Sequence, residues 1–314
     1  MSLTDKDRLR LLLDGGTPDQ PPHFELAFHL QHDMFGMDLD AVRQGAYASE
    51  SARMDAIEAC HIEAALRCID EFGYAAVTAP HYERDVDPIR ALTNLKRRLD
   101  SRALMFGFSD GGVFWMPSGS DMETFVVRMF ERPAEMHAEA REKVRRTKEF
   151  TRRQLDAGVD FIVQNTDFGF NAGPFISPAH FREFCIPYMT ELVAFMHDLK
   201  LPVILHSDGN LNAILDQIHA TGVDGYQSVD PQGQMDIRAV RQQYPDWLLM
   251  GNVNCAMLQN TDAREIRGSV QYCMRYGGMG KRYVFSTSNC IYPGMPAESY
   301  RVMLDEYRRL RRAG

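Results

Sequence analysis

Pro202-Val-Ile-Leu-His206-Ser-Asp-Gly209 decides the reading of the fold. It is a short apolar, β-rich run that ends in a polar cluster. A helical pattern follows it, from about Asn212 to Ala220. The same unit recurs on both sides. Phe161-Ile-Val-Gln-Asn165 precedes a helix from about Pro178 to Leu199. Gly225-Tyr-Gln-Ser-Val229 precedes one near Asp236 to Gln243, and Leu248-Leu-Met-Gly-Asn252 one near Asp262 to Arg275. Tyr283-Val-Phe-Ser-Thr-Ser288 precedes the last, near Ala297 to Arg311. Strands alternating with longer helices argue for parallel strands joined by crossovers.

The first half is less regular. His23 to Leu30, Tyr74 to Thr78 and Ala103 to Phe108 read as strands. Helices are expected over Asp5 to Asp14, about Asp55 to Glu71, Pro88 to Leu99 and Pro133 to Ala157, with a Thr4/Asp7 capping box opening the first. The total is eight strands, which predicts one single-domain (β/α)8 TIM barrel over residues 1–314. A doubly wound open sheet is the rival. No Gly-rich phosphate fingerprint follows any strand, which weighs against it. The stretches Gly36 to Ser51 and Gly111 to Glu123 read as insertions over the barrel mouth, with Phe114-Trp115 either a lid or ordinary packing.

The chain has 314 residues, enough to bury a large core without staples. Its net charge of −8 gives no electrostatic reason to expect nucleic acid or an anionic membrane. Arg141 to Arg153 reads as one solvated basic helix face. The six cysteines form no CxxC pair, which fits a reducing cytoplasm better than a disulfide framework. Cys60 and Cys68 read as core residues. The N-terminus lacks an apolar signal core, and no run reaches the ~18 apolar residues of a membrane span.

In barrels the chemistry sits at the C-terminal ends of the strands. Here five successive ends are polar: Gln164 to Asp167, His206 to Asn210, Ser228 to Pro231, Gly251 to Cys255 and Ser286 to Cys290. Helix capping by Asp, Ser and Asn accounts for any one of them, but less readily for the whole set. His206 and Asp208 are two apart, so both point into one cavity if the strand geometry persists. Imidazole, carboxylate and the Cys290 thiol are all zinc ligands. By spacing alone the signal is weak, since 84 residues separate His206 from Cys290.

These residues carry a resemblance. The runs Asn165-Thr-Asp-Phe-Gly169, Gly173-Pro-Phe-Ile-Ser-Pro178 and Phe181-Arg-Glu-Phe184 resemble the uroporphyrinogen decarboxylase superfamily. So do Pro187-Tyr188, Leu205-His-Ser-Asp-Gly209, Gly222-Val-Asp224, Gly251-Asn-Val253 and Ser286-Thr-Ser-Asn289. The resemblance is strong from about Asp160 onward and thin before Asp100. It implies a barrel and one of two chemistries. Decarboxylases of the superfamily use no metal and hold an octa-acid tetrapyrrole with arginines near the N-terminus. This chain has no arginine between Arg10 and Arg43, and a polycarboxylate needs guanidinium forks. Arg84, Arg90 and Lys281 are the remaining candidate anchors.

Cobamide-dependent methyltransferases of the superfamily bind zinc through a His-x-Cys pair and a distant Cys. His206 and Cys290 match, and Asp208 stands where the middle Cys would be. The resemblance therefore implies a zinc site of His206, Asp208 and Cys290, with Glu25, His29 or Cys255 as a possible fourth ligand. Asp167, Asp230, Asn252 and Ser288 are the expected catalytic group: Asp167 and Asp230 to orient substrate or move protons, and Asn252 and Ser288, with Asn165, to supply hydrogen bonds. Asn165, Asn210 and Asn289 are expected to bind cofactor. A corrinoid would come on a separate protein, and homodimerisation is common in the superfamily. The resulting expectation is methyl transfer between a small molecule or thiol and a corrinoid. Porphyrinogen-type decarboxylation and non-catalytic binding of a corrinoid protein or small ligand are the alternatives.

Overall fold

The computed structural model describes residues 3–80, 86–110, 113–278 and 281–313. Its strands are β1 (Ala76–Val77), β2 (Leu104–Asp110), β3 (Phe161–Asn165), β4 (Gly169–Phe170), β5 (Gly173–Pro174), β6 (Val203–His206), β7 (Gly225–Ser228), β8 (Leu248–Val253) and β9 (Tyr283–Thr287). Seven of them form one parallel sheet in the order β1-β2-β3-β6-β7-β8-β9. The order follows the chain without reversal, which removes the doubly wound alternative. β4 and β5 are a separate antiparallel hairpin at the mouth. The fold is α/β with a curled seven-stranded parallel sheet.

The eighth expected strand is corrected. His23 to Leu30 forms no continuous strand, only isolated parallel bridges from His23 to Phe285 and from Phe28 to Ile291. Backbone bonds still tie this segment to both sides. Phe285 N–H donates to Pro22 O at 2.9 Å, and Ala75 N–H donates to His23 O at 2.8 Å. The ladder breaks between the bridges because a side chain takes its donor. Thr287 N–H donates to the buried Glu25 carboxylate, 3.0 Å from Oε2, and the Ser286 and Thr287 hydroxyls donate to the same oxygen at 2.8 and 2.7 Å. Pro21 and Pro22 bring no N–H of their own.

Most helices fall as read. Asp5–Leu13 opens with the Thr4/Asp7 capping box, and Pro88–Leu99 opens on an Asp87 cap with Pro at its first position. The long helix expected from Pro178 to Leu199 is two, Pro178–Phe184 and Ile186–Asp198. Pro187 has no N–H to continue the first, so the chain breaks at Cys185. The stretch Gly36 to Ser51 carries its own helix, Leu39–Gln44. No helix of the described residues is long and apolar enough to cross a membrane. All six cysteines are free.

The core lies between the sheet and its helices, and also inside the curl, where Phe24, Phe106 and Phe161 meet at ring distances of 5.5 to 6.0 Å. Gly209 fixes the mouth. Its φ is +82°, and a Cβ there would meet the Gly169 carbonyl oxygen at 2.2 Å. This backbone-on-backbone contact lets Asn210 N–H reach Phe170 O at 2.9 Å and seats the β4–β5 hairpin against the end of β6.

Gly209→Ala is expected to cost roughly 2–4 kcal/mol in denaturant unfolding, through strain and displaced backbone; an unchanged midpoint refutes the contact's role. Burial raises the Glu25 carboxyl to about 7. A raised acid stabilises the fold while protonated, so its contribution is complete below 4.5 and lost as pH rises through about 7. The size is roughly 3 kcal/mol. Stability of Glu25→Gln should therefore fall less across this window than that of wild type, and parallel pH profiles would contradict the assignment.

Candidate functional site

The parallel register builds the site. Asn165 pairs with His206, and His206 with Gln227. The ladder runs one residue further, with Thr166 N–H donating to His206 O at 3.1 Å and Ser207 N–H to Gln227 O at 3.2 Å. Beyond it the chains turn toward each other. Asp208 N–H donates to Asp167 Oδ1 at 3.0 Å, and Phe168 N–H donates to the Ser207 hydroxyl at 3.0 Å.

Asp167, His206 and Asp208 thus converge, each with a ligand atom within 4.8 Å of the others. His206 Nε2 lies 3.8 Å from Asp167 Oδ1 and 4.0 Å from Asp208 Oδ2. The imidazole is oriented by Gln227, which is fully buried. Gln227 Nε2 donates to Thr287 O at 3.2 Å. A carbonyl only accepts, so this bond fixes the amide and turns its Oε1 toward His206. Nδ1–H of His206 must then donate to Oε1, which leaves the Nε2 lone pair facing the two carboxylates.

Asp208 is held on both oxygens. The Ser228 hydroxyl donates to Oδ1 at 2.7 Å, and the Asn289 amide donates to Oδ2. Burial raises its pKa and the nearby Asp167 charge adds to this, while His206 and the Ser228 bond pull the other way. β7 leaves the sheet through positive φ at Ser228 (126°) and Val229 (49°), a conformation that costs a non-glycine residue about 1–3 kcal/mol. That turn carries Asp230 to Gly209 N–H at 3.2 Å and Gln232 N–H at 2.9 Å.

A cavity of about 570 Å³ opens over the cluster. Asp167, Asp208, Asp230, Ser288 and Asn289 line it, with Cys255, Tyr292 and Phe170. These five expected residues are brought together. Asn252 is not among its lining: its amide donates to Val229 O at 2.9 Å and its Oδ1 accepts from the Cys273 thiol at 3.2 Å, which makes it a structural tie. Asn210 closes a turn by accepting from Asn212 N–H at 3.1 Å. Asn165 lines a separate flank cavity with Lys143 and Thr147.

The residues whose ligand atoms lie closest together differ by one member from the expected metal set. Among the described residues Asp167 completes the triad and Cys290 lies outside it. Cys290 is half-buried, and its thiol is pushed up to about 12, by burial first and then by Cys255, Glu25 and Asp208. Cys255 is likewise raised to about 11 and accepts from the Ser288 hydroxyl at 3.5 Å. Glu25 and His29 line a second cavity beside this one. Phe114 is buried while Trp115 is exposed, and Met116 N–H ties their segment to Asp167 O at 2.9 Å; Gly111 and Gly112 lie outside the described residues.

The carboxylate anchors do not assemble. Arg90 is bound to Glu58 and Asp55 at 2.8 and 2.9 Å, and Lys281 sits at the start of β9, opposite the mouth. Arg84 lies outside the described residues. Gln227 is the residue that sequence reasoning missed, and Ser228 figures there only as part of a polar strand end. The available signal was two polar side chains inside the otherwise buried run of β7.

Comparison with known proteins bears on the family and the fold. The family model described as "Uroporphyrinogen decarboxylase (URO-D)" matches residues 51–310. The uroporphyrinogen decarboxylase of Thioalkalivibrio sulfidiphilus is 24% identical over 227 residues, covering 69% of this chain and 62% of that protein. The chain thus spans less than two thirds of that relative's length. The uroporphyrinogen decarboxylase of Pelobacter propionicus is 26% identical over 273 residues, covering 83% of this chain and 76% of that protein. Among solved structures, a methyltransferase from Methanosarcina mazei superimposes with a TM-score of 0.76 at 15% identity, over 98% of this chain and 99% of that one, which shows a shared fold. The chain belongs to the uroporphyrinogen decarboxylase (URO-D) family.

Proposed function

We propose that this protein is a zinc-dependent methyltransferase, moving a methyl group between a small molecule or thiol and a corrinoid carried on a separate protein. The observation that carries the reading is the Asp167–His206–Asp208 cluster at the strand ends. Its donor set suits zinc: one imidazole nitrogen whose other nitrogen is already bound to Gln227, and two carboxylates. Three protein ligands leave a position for substrate, as a catalytic site requires. When bound, zinc supplies Lewis acidity, lowering the pKa of a coordinated thiol or drawing electrons from the heteroatom that releases the methyl group.

The chain's own groups prepare that chemistry. Ser228 and Asn289 hold Asp208 in place. Asp230 fixes the Gly209 turn and lines the cavity beside Ser288, which supplies a hydroxyl to the substrate side. Burial first of all raises the Tyr292 phenol, so Tyr292 stays a neutral donor at the rim. Phe170 and Met116 form the apolar part of the wall.

A second reading is decarboxylation of a porphyrinogen or another acid, which the names of the curated relatives favour. The lining opposes it. Asp167, Asp208 and Asp230 face the cavity and no Lys or Arg does so among the described residues. A polyanion would meet repulsion where it needs guanidinium forks. Non-catalytic binding of a small ligand is the third reading, and turnover separates it from both.

Elemental analysis of wild type, His206→Ala, Asp167→Asn and Cys290→Ala is the deciding measurement. About one zinc per chain is expected, lost in His206→Ala and Asp167→Asn. Retention in Cys290→Ala assigns the third ligand to Asp167, whereas loss assigns it to the thiol. Zinc-loaded protein should also demethylate methylcobalamin in the presence of a thiol. No zinc after reconstitution sinks the mechanism, and CO2 release from a porphyrinogen would establish the second reading. Gln227→Leu should weaken zinc binding by roughly 10–100-fold in a chelator competition titration, through loss of the imidazole's orientation; unaltered affinity would show that Gln227 does not position the ligand.

A further inference from the structure

A second cavity is larger than the one over the Asp167–His206–Asp208 cluster. It encloses about 710 Å³, within the range of small-molecule sites, between residues 25–40, the helix Glu50–Phe72 and the end of β1. The loop after β9 joins the two cavities: Ser288, Asn289 and Tyr292 line the first, and Pro293 and Gly294 line the second.

We propose that this second cavity is a subsite for a small organic cation, an ammonium group held by the Glu25 carboxylate among the side chains of Phe28, Tyr74 and Phe106. The inference deepens the methyl-transfer reading and rests on it for the occupant's role as donor or acceptor. Three observations support it. First, the carboxylate is unevenly satisfied. Glu25 is 3% exposed, and three donors converge on its Oε2, but among the described residues Oε1 receives only a shared contact from Thr287 N–H at 3.3 Å. A buried carboxylate oxygen with unused lone pairs favours a further donor. Second, three aromatic rings line the same cavity, and ring faces attract cations, most strongly where water is excluded. Third, the lining is acidic. Glu25, Asp33, Asp38 and Asp40 stand against one guanidinium, Arg43, which is bound to Asp40 at 2.9 Å, and three imidazoles, His29, His32 and His61, with no lysine in this lining among the described residues. An anion is repelled here. A neutral apolar molecule gives Oε1 nothing beyond its shared contact with Thr287 N–H. A monocation with an apolar body meets both demands.

Choline, its uncharged isostere 3,3-dimethylbutan-1-ol and the anion 3,3-dimethylbutanoate separate these cases by isothermal titration calorimetry on the full chain. Titration at about pH 8 keeps the Glu25 carboxyl, raised to about 7, ionised, and imidazoles as a class neutral. Choline should bind at least roughly tenfold more tightly than the alcohol, and the anion more weakly still. Glu25→Gln should erase the preference for choline over the alcohol. Ala65→Phe, which fills the cavity and keeps the carboxylate, should abolish choline binding, and it decides the matter if Glu25→Gln does not fold. Equal binding of choline and alcohol, choline binding that survives Ala65→Phe, or no choline binding to wild type would overturn the inference. Zinc content measured on the same samples separates the two readings. Choline bound without zinc leaves the subsite standing and removes methyl transfer, and zinc without choline does the reverse.

Discussion

The site depends first on strand register. His206 pairs with Asn165 on one side and Gln227 on the other, and a shift of one residue would turn its imidazole to the opposite face of the sheet. Because the register holds, the amide of Gln227 spans from Thr287 O to the imidazole and selects which nitrogen is exposed. A hydrogen bond from a β7 side chain to the β9 backbone thereby sets the donor chemistry on β6. The helices around the sheet contribute by fixing the sheet, not by touching the cluster.

The second constraint is electrostatic. The protein concentrates carboxyl groups at its mouth, and among the described residues no Lys or Arg lines the cavity over the cluster. Asp167, Asp208 and Asp230 share one cavity, and Glu25 lies beside the next. Like charges at such distances are costly in the folded state, and the pKa of Asp208 rises in consequence of burial and of Asp167. Hydrogen bonds from Ser228, Asn289 and three backbone N–H groups offset part of that cost. An arrangement that stores unneutralised negative charge is suited to a positive guest, whether a metal ion or an organic cation. It is poorly suited to an octa-acid.

The relation between this chain and its family follows the same division. The family match runs over residues 51–310 and shows the fold, and the superposition on the Methanosarcina mazei methyltransferase shows the same architecture at 15% identity. Fold alone does not choose a reaction. The choice lies in a few side chains at the strand ends, where this protein brings Asp167, His206 and Asp208 together.

Much of this was legible in the chain itself. The strand–helix alternation after residue 160 carried the parallel sheet, because apolar β-rich runs of four to six residues have few other solutions. His206 and Asp208 were legible as a pair, because their spacing is that of one strand face. The partners were not. Local pattern does not state which strands are neighbours at which register. Hence Gln227 looked like an ordinary strand residue, the ties of Asn252 to Val229 and Cys273 were not visible, and the convergence of Asp167 on His206 and Asp208 was not foreseen. The eighth strand was misread for a similar reason: alternation cannot show that Glu25 takes the Thr287 donor from 262 positions away. Sequence determined the elements and the supply of polar groups at their ends. Tertiary structure decided which of those groups face one another, because the distances that define a site are set by long-range pairing and by backbone contacts such as Gly209 on Gly169.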